Sequence, residues 1–157
     1  MSKDFVQLFK DSVAVTLEKL FREPASFGTA SVADGADGAG DVTIVVGIVG
    51  PRLDGLLAIA LTEKSALKLA GKMIGKELSV LGVDAKSALS EFGNILSAIA
   101  ITRLTAAGVV CDITTPSVHT GRGLVMNDKG GSRSFSVPIF MDSFSMVMTL
   151  SLAGRRR

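Results

Sequence analysis

Phe5, Leu8, Phe9, Val13, Thr16, Leu17, Leu20 and Phe21 recur at three- and four-residue steps, which places them on one face of a helix over about residues 4 to 22. Pro24 closes that helix. A short strand is predicted around residues 25–32, followed by the Gly/Asp loop "ADGADGAGD". "DVTIVVGIVG" and "LDGLLAIALT" then read as two strands of a hairpin that turns at Gly50, Pro51 and Arg52. Thr62 suits the N-cap of a second helix, with Ala66, Leu67, Leu69, Ala70, Met73 and Ile74 as its buried stripe and Gly75 as its stop. The longest helix is predicted from a cap at Asp84 to Gly108. Beyond it, "VVCDITTPSV", "SRSFSVPIFM" and "FSMVMTLSL" read as strands, with turns at "NDKGG" and around Asp142 and Ser143. Pro138 marks its strand as an edge or a bulge.

This order predicts an α/β (α+β) domain in which long helices pack on an antiparallel sheet. Each half is a helix followed by antiparallel strands, an internal pseudo-twofold echo without a repeated motif. Residues 1–154 are expected to form one domain, with residues 155–157 as a basic tail.

The longest helix has an unusual polar side. At about 100° per residue, Asp84, Ser87, Glu91, Asn94, Ala98, Thr102 and Thr105 share one band, opposite Ala85, Leu89, Phe92, Leu96, Ile99 and Ala107. Within "SALSEFGNILSAIA" a carboxylate and a carboxamide stand three residues apart, with no lysine or arginine beside them. An ordinary solvated face more often pairs Glu with Lys four residues on. A narrow band with only acidic charge and little bulk would let another protein's backbone or active site approach closely.

Composition narrows the alternatives. The 157 residues are 47% hydrophobic and 20% charged, with mean hydropathy +0.44, so the chain can build a core and still leave apolar surface for a partner. Setting aside the three positive charges of Arg155, Arg156 and Arg157 turns the net charge of +2 into −1. With dispersed basic residues, no Trp and no Tyr, nucleic acid is disfavoured as a partner. A single cysteine, Cys111, rules out an internal disulfide and suits a reducing compartment, and no apolar run is long enough to span a membrane. A cytoplasmic protein without a membrane partner is expected.

Other candidates reduce to structural readings. Asp34, Asp37 and Asp41 hint at calcium, but the loop lacks the alternating oxygen ligands and closing glutamate of an EF-hand. Cys111 reads as a small strand residue and His119, the sole histidine, as structural or solvent-facing. The methionines of "FMDSFSMVMTLSL" read as core or interface.

The spacing Ser87-x-x-x-Glu91-x-x-Asn94, continued by "ILSAIA" and by Pro116 further on, resembles the signature of the CheC/FliY/CheX phosphatases of bacterial chemotaxis. "FVQLFKDSVAVTLEKLF" looks like that family's first helix, and "GLLAIALTEKSALKLAGKMIGKEL" like its strand-and-helix segment. The resemblance implies a CheC/CheX-like fold and a phosphatase acting on the aspartyl phosphate of a CheY-like response regulator. Glu91 and Asn94 would be the catalytic pair, with Ser87, Ala98 and Pro116 as partner contacts. No cofactor would be bound by this chain, because Mg2+ belongs to the regulator. The first half carries no second copy of the motif, which points to the single-site CheX type and implies a homodimer. "Ser97-Ala98-Ile99" departs from a segment that often contains glycine, and bears on how closely a partner seats. The rival reading is a non-catalytic regulator-docking module related to the flagellar switch proteins.

Overall fold

The computed structural model describes residues 2–33, 36–38, 40–121, 124–126 and 133–154. Helix α1 (Ser2–Phe21) opens the chain and is followed by three short strands, β1 (Ser26–Phe27), β2 (Ser31–Ala33) and β3 (Ala36–Gly38). The hairpin β4 (Val42–Val49) and β5 (Leu53–Leu61) leads into α2 (Glu63–Ile74) and α3 (Val83–Ala106). Then come β6 (Asp112–Ile113), β7 (Ser117–Thr120), β8 (Leu124–Met126), and a second hairpin, β9 (Arg133–Phe140) and β10 (Ser145–Gly154).

The eight-stranded sheet runs β1-β9-β10-β5-β4-β6, with β2 also on β9 and β7 also on β4. All these pairings are antiparallel. The pairing has the predicted twofold character. After α1, two short strands cross to the hairpin of the second half; after α3, two short strands cross to the hairpin of the first. β5 and β10 meet at the centre, and β3 pairs with β8 as a separate ribbon. Among the described elements, α2 alone breaks the correspondence.

Strand alternation decides which side of the sheet is core. Val42, Ile44, Val46 and Ile48 of β4 are buried, as are Val137 and Ile139 of β9 and Met146, Met148 and Leu150 of β10. They join Phe9, Val13 and Leu17 of α1 and Leu89, Phe92, Leu96, Ala100 and Leu104 of α3 in one hydrophobic cluster. The methionines of the last hairpin are therefore core residues.

Several boundaries differ from the sequence reading. α1 stops at Phe21, where Arg22 turns into the left-handed region (φ 55°) and its N–H donates to Glu18 O; Pro24 lies beyond. The loop "ADGADGAGD" contains β3, and Asp34 lies outside the described residues, as do "NDKGG" and the terminal arginines. "VVCDITTPSV" splits into β6 and β7, because Thr114, Thr115 and Pro116 stand opposite only two residues of β4; Thr114 stays attached, its N–H donating to Gly47 O and its Oγ1 accepting from the Gly47 N–H. The strand holding Pro138 is not an edge, since β1 and β2 cover its outer side. Those strands are interrupted opposite Pro138, where the Gly28 N–H donates to Pro138 O. A Cβ on Gly28 would come within 2.5 Å of Pro138 Cγ, so glycine permits this passage.

α2 begins and ends as expected: the Ser65 N–H donates to Thr62 Oγ1 (3.1 Å), and Gly75 takes the left-handed conformation (φ 87°). Asp41 adds a second cap, its Oδ2 accepting from the Glu63 N–H at 2.9 Å. Ile74 lies at the helix end and is exposed rather than buried. The N-cap of α3 is Gly82, not Asp84. Asp84 sits one step inside the first turn, where a carboxylate still opposes the positive end of the helix dipole.

Candidate functional site

All seven residues of the predicted polar band, Asp84, Ser87, Glu91, Asn94, Ala98, Thr102 and Thr105, are exposed. The opposite side of α3 is buried at Ala85, Ala88, Leu89, Phe92, Leu96, Ala100 and Leu104. Ile99 is only half-buried, and Ala107 is exposed because it is the C-cap. The band is therefore presented by burial of the rest of the helix, not by any flexibility of its own.

Asn94 Nδ2 donates to Glu91 Oε1 at 3.5 Å, at the far end of hydrogen-bond range. So long a bond costs little to exchange for a better partner. Among the described residues, no lysine or arginine pairs with Glu91. With Nδ2 turned towards Glu91, the carboxamide Oδ1 is left as an acceptor facing out. Further along, Thr102 Oγ1 donates to Ala98 O at 2.9 Å, so that hydroxyl is already engaged by the helix.

Pro116, expected among the partner contacts, lies behind the band. It is buried, and it packs on α3 where Gly93 leaves space: a Cβ on Gly93 would meet Pro116 Cβ at 2.9 Å, Pro116 Cγ at 3.0 Å and Ile44 Cγ2 at 3.1 Å. The proline therefore seats the helix next to Asn94. Sequence reasoning missed Gly93. Its signal was a glycine well inside a helix, where it costs about 0.5–1 kcal/mol against alanine and marks a close approach.

The segment Ser97-Ala98-Ile99 faces three ways. Ala98 alone lies in the exposed band, Ile99 is half-buried, and Ser97 is buried with its hydroxyl unpartnered among the described residues.

The remaining candidates stay apart from the band. His119 is exposed, with Nε2 2.9 Å from Ser117 Oγ. Burial, and then the charge of Asp112, push the Cys111 thiol up from its usual range, so at neutral pH it is a thiol and a poor nucleophile. Among the described residues, no three His, Cys, Asp or Glu side chains gather as a metal site requires. Nor is any described helix long and apolar enough to cross a membrane.

Fold and band together define a class: a small α/β domain with a polar helix face open to solvent. The chain belongs to the CheX family, whose model, described as Chemotaxis phosphatase CheX, matches residues 42–140. A relative from Thermotoga maritima, named CheY-P phosphatase CheX, is 30% identical over 112 residues, covering 70% of this chain and 72% of that protein. Among solved structures, a CheC-like superfamily protein from Shewanella sp. PV-4 superposes with a TM-score of 0.86 at 24% identity, covering 98% of this chain and 100% of that one. A chain of the CheX–CheY–BeF3–Mg2+ complex from Borrelia burgdorferi superposes with a TM-score of 0.76 at 25% identity, covering 97% and 98%. The CheC/CheX-like fold expected from the sequence is the fold observed.

Proposed function

We propose that this chain is a response-regulator phosphatase that hydrolyses the aspartyl phosphate of a CheY-like protein by presenting Glu91 and Asn94 to its active site. The observation that carries the reading is the exposed, acid-only band of α3, on which the two side chains hold each other only loosely at 3.5 Å. The name of the Thermotoga maritima relative and the composition of the Borrelia burgdorferi complex point the same way.

Hydrolysis of a phosphoryl group needs water placed in line behind phosphorus, and positioning supplies most of the acceleration. A carboxamide cannot act as a base at neutral pH. It can hold a water, with Asn94 Oδ1 accepting its proton-side hydrogen bond and Nδ2 donating to a neighbouring oxygen. Glu91 pairs with a lysine at the regulator's phosphoryl site and fixes the register of docking. Ser87 and Ala98 are small contacts that let the surfaces close, and Pro116 supports α3 from behind. Mg2+ comes with the regulator and neutralises phosphoryl charge there.

On this reading, residues 1–154 act as one cytoplasmic domain, paired as a homodimer with one site on each subunit. Val32 on β2 and Phe140 at the end of β9 are exposed apolar side chains near the β1–β2 edge of the sheet. Light scattering after size exclusion tests the dimer. The function is tested by phosphorylating receiver domains with a small phosphodonor and following decay with and without this protein. Faster decay for one receiver is expected. Binding of a phosphorylated receiver without faster decay would establish the docking-module reading instead.

A further inference from the structure

Lys64, Lys68, Lys72 and Lys76 recur every fourth residue and line one groove of about 510 Å3. They are four of the chain's nine lysines. The first three lie on α2 and span about 12 Å of it; Lys76 continues the wall just beyond Gly75. Leu67, Gly71, Gly75 and Leu78 supply an apolar lining, and Ser143 lies at the rim. Only Lys72 has a carboxylate near it, Glu23 Oε2 at 3.8 Å; among the described residues, Lys64, Lys68 and Lys76 have none within ion-pair range. With Glu77 as the one carboxylate in its lining, the groove therefore concentrates an excess of positive charge in one concave strip while the body as a whole is close to neutral.

An apolar shoulder adjoins the strip. Lys76, Glu77 and Leu78 belong both to this groove and to a neighbouring depression lined by Val80 and Val83. Those valines are 71% and 81% exposed, unusually bare for large aliphatic side chains. A row of cations beside bare apolar side chains matches one kind of partner surface: carboxylates along one side and apolar residues along the other.

We infer that the α2 groove is a second docking site, which meets the α3 band only at Asp84 and takes a short acidic amphipathic segment of another protein. Its carboxylates lie along Lys64, Lys68 and Lys76, and its apolar side chains enter over Leu67, Leu78 and the Val80–Val83 shoulder. Concavity favours such a segment over an anionic membrane, because a flat bilayer leaves a groove unfilled whereas side chains fill it. Glu77 and Asp84, which line the shoulder, also oppose an anionic sheet, while a peptide can meet them with a neutral or basic residue.

The test uses the full chain and a fluorescent synthetic peptide of about fourteen residues, with glutamates every fourth position and leucines on the opposite side, a length of about four helical turns that spans the lysines. A control peptide has the same composition with its leucines and glutamates shuffled. Anisotropy titration is expected to show at least fivefold tighter binding of the ordered peptide, weakening as salt rises. The triple variant Lys64→Glu, Lys68→Glu, Lys76→Glu should lose at least tenfold. The milder Lys64→Gln, Lys68→Gln, Lys76→Gln should lose less, with circular dichroism unchanged in both. Equal binding of the two peptides would reduce the groove to non-specific charge attraction and overturn the proposal. So would failure of the ordered peptide while vesicles of phosphatidylglycerol bind in a lysine-dependent way.

Discussion

Helices α1 and α3 cover the same side of the sheet, and their buried sides are built alike, yet their solvent sides differ. α1 turns out polar and charged groups that find local partners: Gln7 Nε2 donates to Asp11 Oδ1 at 2.8 Å, and Lys10 Nζ lies 5.3 Å from the Phe27 ring centre. Glu18 and Lys19 complete a face of both signs. The middle of α3 shows one carboxylate, one carboxamide and small residues, with a single long bond between them. Solvated helix faces tend to settle their own hydrogen bonds; a face kept bare and unsettled is available to a partner.

The sharpest check is that the buried sides really are equivalent. Phe9 and Phe92 are both fully buried, so Phe9→Ala and Phe92→Ala should each cost about 3–5 kcal/mol in urea unfolding. A much smaller loss for either would break the equivalence. On the solvent side of α3, Asn94→Ala should slow receiver dephosphorylation on the order of 100-fold, about 2.7 kcal/mol in barrier, while the unfolding midpoint stays put. Normal turnover would remove Asn94 from the chemistry.

Between the two sides lies the contact that seats α3. Gly93→Ala should destabilise by about 1–3 kcal/mol, because its methyl enters the space held by Pro116, and Pro116→Ala in the same chain should restore part of the loss. Thermal unfolding of the single and double variants reads this directly. Glu91→Ala should weaken the complex with a phosphorylated receiver by about 1–2 kcal/mol, more at low salt than at high. Titration at two ionic strengths would sink the pairing role if affinity were unchanged at both. The smallest effect is expected on α1, where Gln7→Ala should shift stability by no more than about 0.5 kcal/mol and leave turnover alone.

How much could be read beforehand depended on how local the cause was. The helices, both long hairpins, the Thr62 and Gly75 caps and the exposed band of α3 follow from spacing and residue type within a few turns of chain. The fate of Pro116 did not. Nothing near residue 116 shows that a glycine in α3 leaves a hollow for it, since the two meet only after β6 and β7 have paired with β4. Pro138 could be read only as an edge or a bulge, and the fold decided between them: a proline is tolerated wherever its missing N–H faces no partner, and here an irregular interruption between β1 and β2 takes the place of a free edge.

The sequence by itself determined which faces of the helices would be apolar, both ends of α2, and that Glu91 and Asn94 would project together, because periodicity and capping act over a few residues. Tertiary structure alone decided that the short strands of each half cross to the hairpin of the other, that Pro116 turns inward, and that four lysines share a groove with exposed valines. Those outcomes depend on long-range pairing and on which surfaces are left over once the core has closed, and neither is encoded in any one stretch of chain.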